Sequence, residues 1–453
     1  MIPAGVAAGH PATVAAGIEI LEDGGTAADA AVAASLASCV AETVMTGLLG
    51  GGHAIYWDGR EALNLDCFVA VPSGSGASPV DLAVPFGEEL VHYAVGPGTC
   101  GVPGLPAGLA ELHRRHGRLP WSLVVEPALR LARAGVPMPP AHATCLAMLA
   151  PVFTLTPAGA KIYAPAGRPL EAGELLDQPG LVRTLELLQA EGGRSVYGGS
   201  IAAALLEVDG TALTRDDLER YRPIWSAPVG LPYAGTRFLT RGGITGVPET
   251  LARLPPLREL DSAARTLALV AAQGAPGPDG HTTNLVTVDG DGGVCVLTTS
   301  LGLGTGDFLP GLDLQLNSML GEVDLHRGPL APGERMESMM APSLALADDG
   351  PTLALGAAGG TRLRTALVGV ATAILDEGLD PVAAVARPRA HRIGTSLNAE
   401  PGVDETALTQ LEDDGWTVRR WAALHHYFGG VSVVGRTGAA GDPRRSGHAA
   451  APR

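Results

Sequence analysis

Three pairs of short apolar runs, each pair split by a turn, commit this sequence to antiparallel sheet. NLVTVD and VCVLTTS flank Gly290-Asp291-Gly292-Gly293, HAIYW (53–57) and EALNLD (61–66) flank Asp58-Gly59, and SLALAD and PTLALG flank Asp349-Gly350. Alternating apolar positions have the period of a strand with one buried face, and Asp-Gly or a glycine cluster supplies the positive φ of a hairpin turn. If the turn at 290–293 pairs Asp289 with Val294, Thr283 stands opposite Ser300.

Helical spacing fills much of the remainder. Apolar side chains recur with a helical period over residues 11–23 and stop at Gly24-Gly25. Thr26 followed by Asp29 makes a capping-box pattern ahead of AADAAVAASLASCV, whose small side chains permit close packing against a neighbouring layer. Helices are also expected within 101–121 and 126–138, over 262–273, and in RLRTALVGVATAILDEG after Gly360. The glycine run at 50–52 reads as a packing turn, because no lysine follows it to hold a phosphate. GAPGPDGH (274–281) is too rich in glycine and proline for helix or strand, so a loop is expected there. The tail from residue 436, GRTGAAGDPRRSGHAAAPR, has little apolar surface and is expected to be disordered.

With 453 residues and 46% hydrophobic side chains, the chain can bury a large core. Its 47 Asp and Glu against 31 Lys and Arg give a formal charge of −16, which repels phosphate backbones and anionic membranes. Neither nucleic acid nor a membrane is expected as a partner. Cys39, Cys67, Cys100, Cys145 and Cys295 are odd in number and lack CxxC spacing, which argues against a disulfide framework. The opening MIPAGVAAGHPATVAAGIEI has no basic start and is interrupted by Glu19, so no signal peptide is expected and the cytoplasm is the predicted location. His113 and His116 lie among arginines, and His425 and His426 would face opposite ways on a strand; no metal or other cofactor is expected.

Thr282 stands where the glycine–proline loop meets the first strand of the hairpin, within reach of Ser300. A hydroxyl there can attack the preceding peptide carbonyl, and cleavage would expose its own α-amino group. That amine, with a reference pKa of about 7.7–8.0, can act as general base to the adjacent hydroxyl, so one residue supplies both partners. Gly359-Gly360 falls between a strand end and a helix start, where backbone N–H groups lack internal partners and can face an oxyanion. Each feature also has a plainer explanation. Thr-Thr at a strand start is ordinary β-propensity, Ser300 can be a satisfied polar group, and paired glycines before a helix commonly form a tight turn.

Taken in order, GGTAADAAVAASLA, TGLLGGGHAIY, GVPGLPAGLAELHRRHGRLPW, EPALRLARAG, GHTTNLVTVDGDGG and GAAGGTRL resemble the successive signature blocks of the γ-glutamyltransferases, in the N-terminal-nucleophile hydrolase superfamily. The resemblance covers most of residues 1–435. It implies an α+β fold, a four-layer αββα sandwich with two stacked antiparallel sheets. It further implies a precursor that cleaves itself before Thr282, leaving 1–281 as the large-subunit segment and 282–435 as the small-subunit segment. The two fragments would remain associated, and assembly into a homo-oligomer is left open. By this resemblance Thr282 is the nucleophile, Ser300 replaces a threonine that hydrogen-bonds it, and Gly359 and Gly360 are the oxyanion glycines. Thr283, Asn284, Gly302 and Ser338 fall at substrate-contacting positions.

Departures from the family pattern gather around substrate recognition. The arginine that holds a glutamyl α-carboxylate should fall in FVAVPSGSGASP, which contains none. Asn284 stands for the usual histidine, Gly302 for an asparagine, Ser318 and Gly321 for a glutamine and an aspartate, and Met339 for a second serine. Losing a bidentate carboxylate clamp and its polar surroundings weakens γ-glutamyl binding. The expectation is a hydrolase or acyltransferase working through acyl-Thr282 on a small molecule other than glutathione, in specialised biosynthesis. Similar enzymes of alkylproline antibiotic pathways cleave a C–C bond, which makes that a variant of the same chemistry. Two alternatives stand beside it: an unprocessed pseudoenzyme serving as a scaffold, and an ordinary γ-glutamyl hydrolase whose carboxylate site is rebuilt from Arg335 or Arg362.

Overall fold

The computed structural model describes residues 1–86, 89–273, 282–322, 325–326 and 328–453; the loop expected at 274–281 lies outside them. The hairpin around residue 290 forms the middle of a seven-stranded antiparallel sheet. Its order is His448–Ala450, Gly5–Ala8, Thr283–Val288, Val294–Ser300, Gly51–Trp57, Ala62–Cys67 and Ile224–Ser226. A six-stranded antiparallel sheet lies against it, ordered Gly438–Gly441, Gly430–Gly435, Gly350–Ala358, Ser343–Ala347, Thr236–Thr240 and Val229–Tyr233.

Strand alternation assigns each side chain to a layer. Val286, Val288, Val294 and Val296 pack between the sheets with Leu344, Ala354 and Val434. Leu285, Cys295 and Leu297 point the other way, into a core built with the helices Pro11–Glu22 and Ala27–Ala41. On the far side, Arg362–Leu375 and Pro381–Ala386 cover the six-stranded sheet. The result is the expected helix–sheet–sheet–helix layering. Thr26 and Asp29 close the expected capping box, with each side chain accepting the other's backbone N–H. The small residues of Ala27–Ala41 let that helix lie buried along its whole length.

Two expectations are corrected. The hairpin register is shifted by one, so that Val288 pairs with Val294 and Thr283 with Thr299. Asp289 has left the ladder: its carboxylate accepts from the backbone of Asp291 and Gly293 and also caps Ala27 N at 2.8 Å. The tail from residue 436 is folded rather than disordered. Gly438–Gly441 pairs with Gly430–Gly435, and His448–Ala450 pairs with Gly5–Ala8, so the tail supplies an edge to each sheet. Glycine and alanine carry this pairing through backbone hydrogen bonds. Two buried ion pairs tie the tail to the rest of the chain: Asp442 to Arg389 at 2.5 Å and Arg444 to Glu400 at 2.6 Å.

Candidate active site

The shifted register brings Thr282 opposite Ser300, because the two residues extend the Thr283–Thr299 pair by one step. Both fall on the inter-sheet side of their strands, the side of Val286 and Val296. They line one cavity, joined there by Ser338 and Gly360. Four residues spread over 79 positions of sequence (282–360) thus converge. Ser300 Oγ accepts from Gly302 N at 3.0 Å, and Ser338 Oγ accepts from Met340 N at 3.2 Å, which fixes both hydroxyls. Gly50 permits the approach of the Ser300 strand, since a Cβ on it would stand 2.2 Å from the Ser300 carbonyl oxygen. The glycine run is thereby a packing device, as read from the sequence.

Gly359 and Gly360 turn the chain from the strand Gly350–Ala358 into the helix Arg362–Leu375. Both have positive φ, +132° and +56°. A side chain at Gly359 would meet Gly429 Cα at 2.7 Å, so the turn requires glycine on both conformational and packing grounds. Gly360 lines the cavity, whereas Gly359 packs behind it against Gly429.

Thr283 and Asn284 do not share the cavity wall with Ser300 and Ser338; with Thr282 they line an adjoining pocket. Thr283 faces the helix layer and donates to Glu42 at 2.5 Å. Asn284 faces the second sheet, accepting from Ser432 N at 2.9 Å and donating to the Gly430 carbonyl at 3.2 Å, so it staples one sheet to the other. Gly302 (φ +70°) borders the site, where a Cβ would lie 2.6 Å from Ser318 Oγ and 3.1 Å from Glu322 Oε1.

Behind Thr282 lies a buried polar layer that sequence reading missed. Glu42 is 1% exposed and also accepts from Thr13 at 2.6 Å. Burial pushes its carboxyl up to about 7, against the opposing pull of the two threonines and Arg445. Arg445, from the folded tail, donates to the Thr282 carbonyl at 3.3 Å and to the His426 carbonyl at 3.4 Å. Glu42 had a signal, as a lone acid in the apolar run ASCVAETVM. Arg445 had none, because its segment carries no apolar pattern.

The other described residues of the cavity wall are apolar, Phe68, Met319, Leu325, Met339, Met340 and Leu363, apart from the carboxylate of Glu322. Neither arginine considered as a substitute clamp lines it. Arg335 stacks on the Tyr221 ring at 4.0 Å and lies 3.6 Å from Asp66. Arg362 donates to the Tyr427 carbonyl at 3.0 Å, with its guanidinium over that ring.

Comparison with known proteins agrees with the fold. The gamma-glutamyltranspeptidase family profile matches residues 13–261 and 258–452. The chain is 27% identical to the acylase ACY 1 proenzyme of Pseudomonas sp. (strain V22), covering 92% of this chain and 87% of that one. It is also 27% identical to the glutathione hydrolase proenzyme of Bacillus subtilis (strain 168), covering 90% and 84%. In three dimensions it superposes on the cephalosporin acylase from Bacillus halodurans with a TM-score of 0.80 and 24% identity, over 100% of this chain and 96% of that one. The chain therefore belongs to the gamma-glutamyltranspeptidase family, hydrolases and acyltransferases built on the N-terminal-nucleophile αββα sandwich.

Proposed function

We propose that this chain is a proenzyme that cleaves its own backbone before Thr282 and then uses Thr282 as the acyl-accepting nucleophile toward a small substrate with an apolar acyl group. One observation carries the reading: Thr282, Ser300, Ser338 and Gly360 line a single cavity. In the first step Thr282 Oγ attacks the carbonyl before it, and the acyl group shifts from nitrogen to oxygen, which frees the α-amine; water then hydrolyses the ester, releasing the new carboxyl terminus and Oγ. That amine then takes the Oγ proton as Oγ attacks the substrate carbonyl. Backbone N–H groups of the Gly359-Gly360 turn receive the developing oxyanion, the leaving group departs with the proton, and water releases the acid. Arg445 anchors the Thr282 carbonyl throughout.

Specificity follows from the walls. A glutamyl α-carboxylate would lie among methionines and beside Glu322, with no arginine among the described lining residues to receive it. Flexible methionines instead suit an apolar acyl chain of irregular shape. The acylases among the relatives fit this reading better than the glutathione hydrolases. Cleavage of a C–C bond through the same acyl-Thr282 is the variant reaction, with a carbon leaving group in place of an amine. The test compares phenylacetyl-p-nitroanilide with γ-glutamyl-p-nitroanilide and searches the quenched reaction for an acylated Thr282 peptide. We expect the phenylacetyl substrate to be favoured at least tenfold and its acyl mass to appear on Thr282. Preference for the γ-glutamyl anilide would overturn the specificity, and turnover retained in Thr282→Ala would overturn the mechanism.

A further inference from the structure

A second cleft lies on the other side of the first turn of the helix Arg362–Leu375. Leu363 lines the Thr282 cavity, whereas Arg364 and Thr365 line this cleft. It holds about 1080 Å³ of empty space, solvent mouth included, between that helix, the helix Ser262–Ala272 and the segment 387–390. Leu269, Val270, Val368 and Val403 give it an apolar floor.

Its charge opposes that of the molecule. In a chain of formal charge −16, Arg265, Arg364, Arg387 and Arg389 all line the cleft, against Asp404 alone among the described acidic lining residues. Arg389 is matched by Asp442. Arg265 and Arg387, however, both rest on Glu377, at 2.9 and 2.5 Å, so two guanidinium groups share one carboxylate. Burial and then the charge of Arg253 depress the Arg364 pKa, with Glu249 pulling against them. The described lining of the cleft thus presents four arginines and one acid.

Gly369 is the second, independent observation. It lies inside the helix Arg362–Leu375 and lines the cleft, and a Cβ built on it meets nothing within 4 Å. Glycine in a helix interior is destabilising relative to alanine. Packing gives no reason for that cost here, since the space beside it is empty. The space is explained if something else fills it.

We propose that this cleft is a second binding site, distinct from the Thr282 cavity, for a small organic acid: an apolar body against the valine and leucine floor and beside Gly369, and an anionic head toward the arginines. The site does not depend on Thr282 acting as nucleophile.

The test is calorimetric titration of the full chain with 4-phenylbutyrate and with 4-phenyl-1-butanol, which has the same body without the charge. The acid is expected to bind at one site at least tenfold more tightly than the alcohol. Gly369→Leu fills the cleft from a position with open space; it should keep the parent melting temperature and weaken acid binding at least tenfold. Arg364→Gln should narrow the gap between acid and alcohol, and Thr282→Ala should bind the acid as the parent does. No acid binding, equal binding of acid and alcohol, or parent-like binding by a folded Gly369→Leu would each overturn the proposal. Loss of acid binding in Thr282→Ala would overturn the separateness of the site.

Discussion

At the scale of single residues, the layer behind Thr282 makes the sharpest demands. The Glu42 carboxyl is raised to about 7 in the folded chain from an ordinary 4.5, chiefly by burial. A raised carboxyl means that the folded state holds the proton more tightly, so the stability it contributes is full below about pH 4.5 and is lost as pH rises through 7. At about 1.4 kcal/mol per unit, the loss amounts to ~3 kcal/mol. Thermal melts from pH 5 to pH 8 should therefore show the parent falling relative to Glu42→Gln, which has nothing to deprotonate; parallel melting curves would refute the raised value. Arg445→Met removes the charged donor from the Thr282 carbonyl and is expected to cost about 2 kcal/mol and to slow the appearance of cleaved chain at least tenfold, measured by gel time course. Arg445→Lys should recover part of the cleavage rate. Among the cavity residues, Thr282 and Gly360 lie in quoted sequence blocks and Ser300 ends a hairpin strand, whereas Ser338 was placed by the resemblance alone. Arg445 was not legible, because its role comes from packing across 163 positions of sequence.

At the scale of elements, periodicity located the hairpins and helices but missed the register by one. The reason is chemical: Asp289 reads as a strand residue by position, yet its carboxylate serves the turn and the N-terminus of the next helix layer. The shift matters, since a one-residue slip exchanges the faces of a strand. It is what places Thr282, rather than Thr283, beside Ser300. The tail escaped detection because composition weighs apolar side chains, whereas this segment is held by backbone pairing and by buried Arg–acid pairs. Deleting residues 436–453 should therefore leave a chain that fails to fold, and in the intact protein the amides of Gly438–Gly441 should exchange slowly with deuterium. Rapid exchange there would restore the disordered reading. Gly359→Ala is expected to lose about 1–3 kcal/mol to backbone strain alone, read as a lower melting temperature, with Gly429 adding a clash.

At the scale of the whole molecule, sheet order explains how a cut chain could hold together. Thr283–Val288 and Val294–Ser300 lie after the proposed cut, but their outer neighbours Gly5–Ala8 and Gly51–Trp57 lie before it. Cleavage before Thr282 severs none of these pairings, and the tail strand His448–Ala450 adds a further one to Gly5–Ala8. The two fragments should co-elute as one species in native gel filtration. Intact-mass spectrometry of freshly purified protein under denaturing conditions tests the central claim most directly. Two masses, residues 1–281 and 282–453, are predicted for the parent and one full-length mass for Thr282→Ala. A parent that remains whole while hydrolysing substrate, or a Thr282→Ala chain that still divides, would contradict the assignment of Thr282.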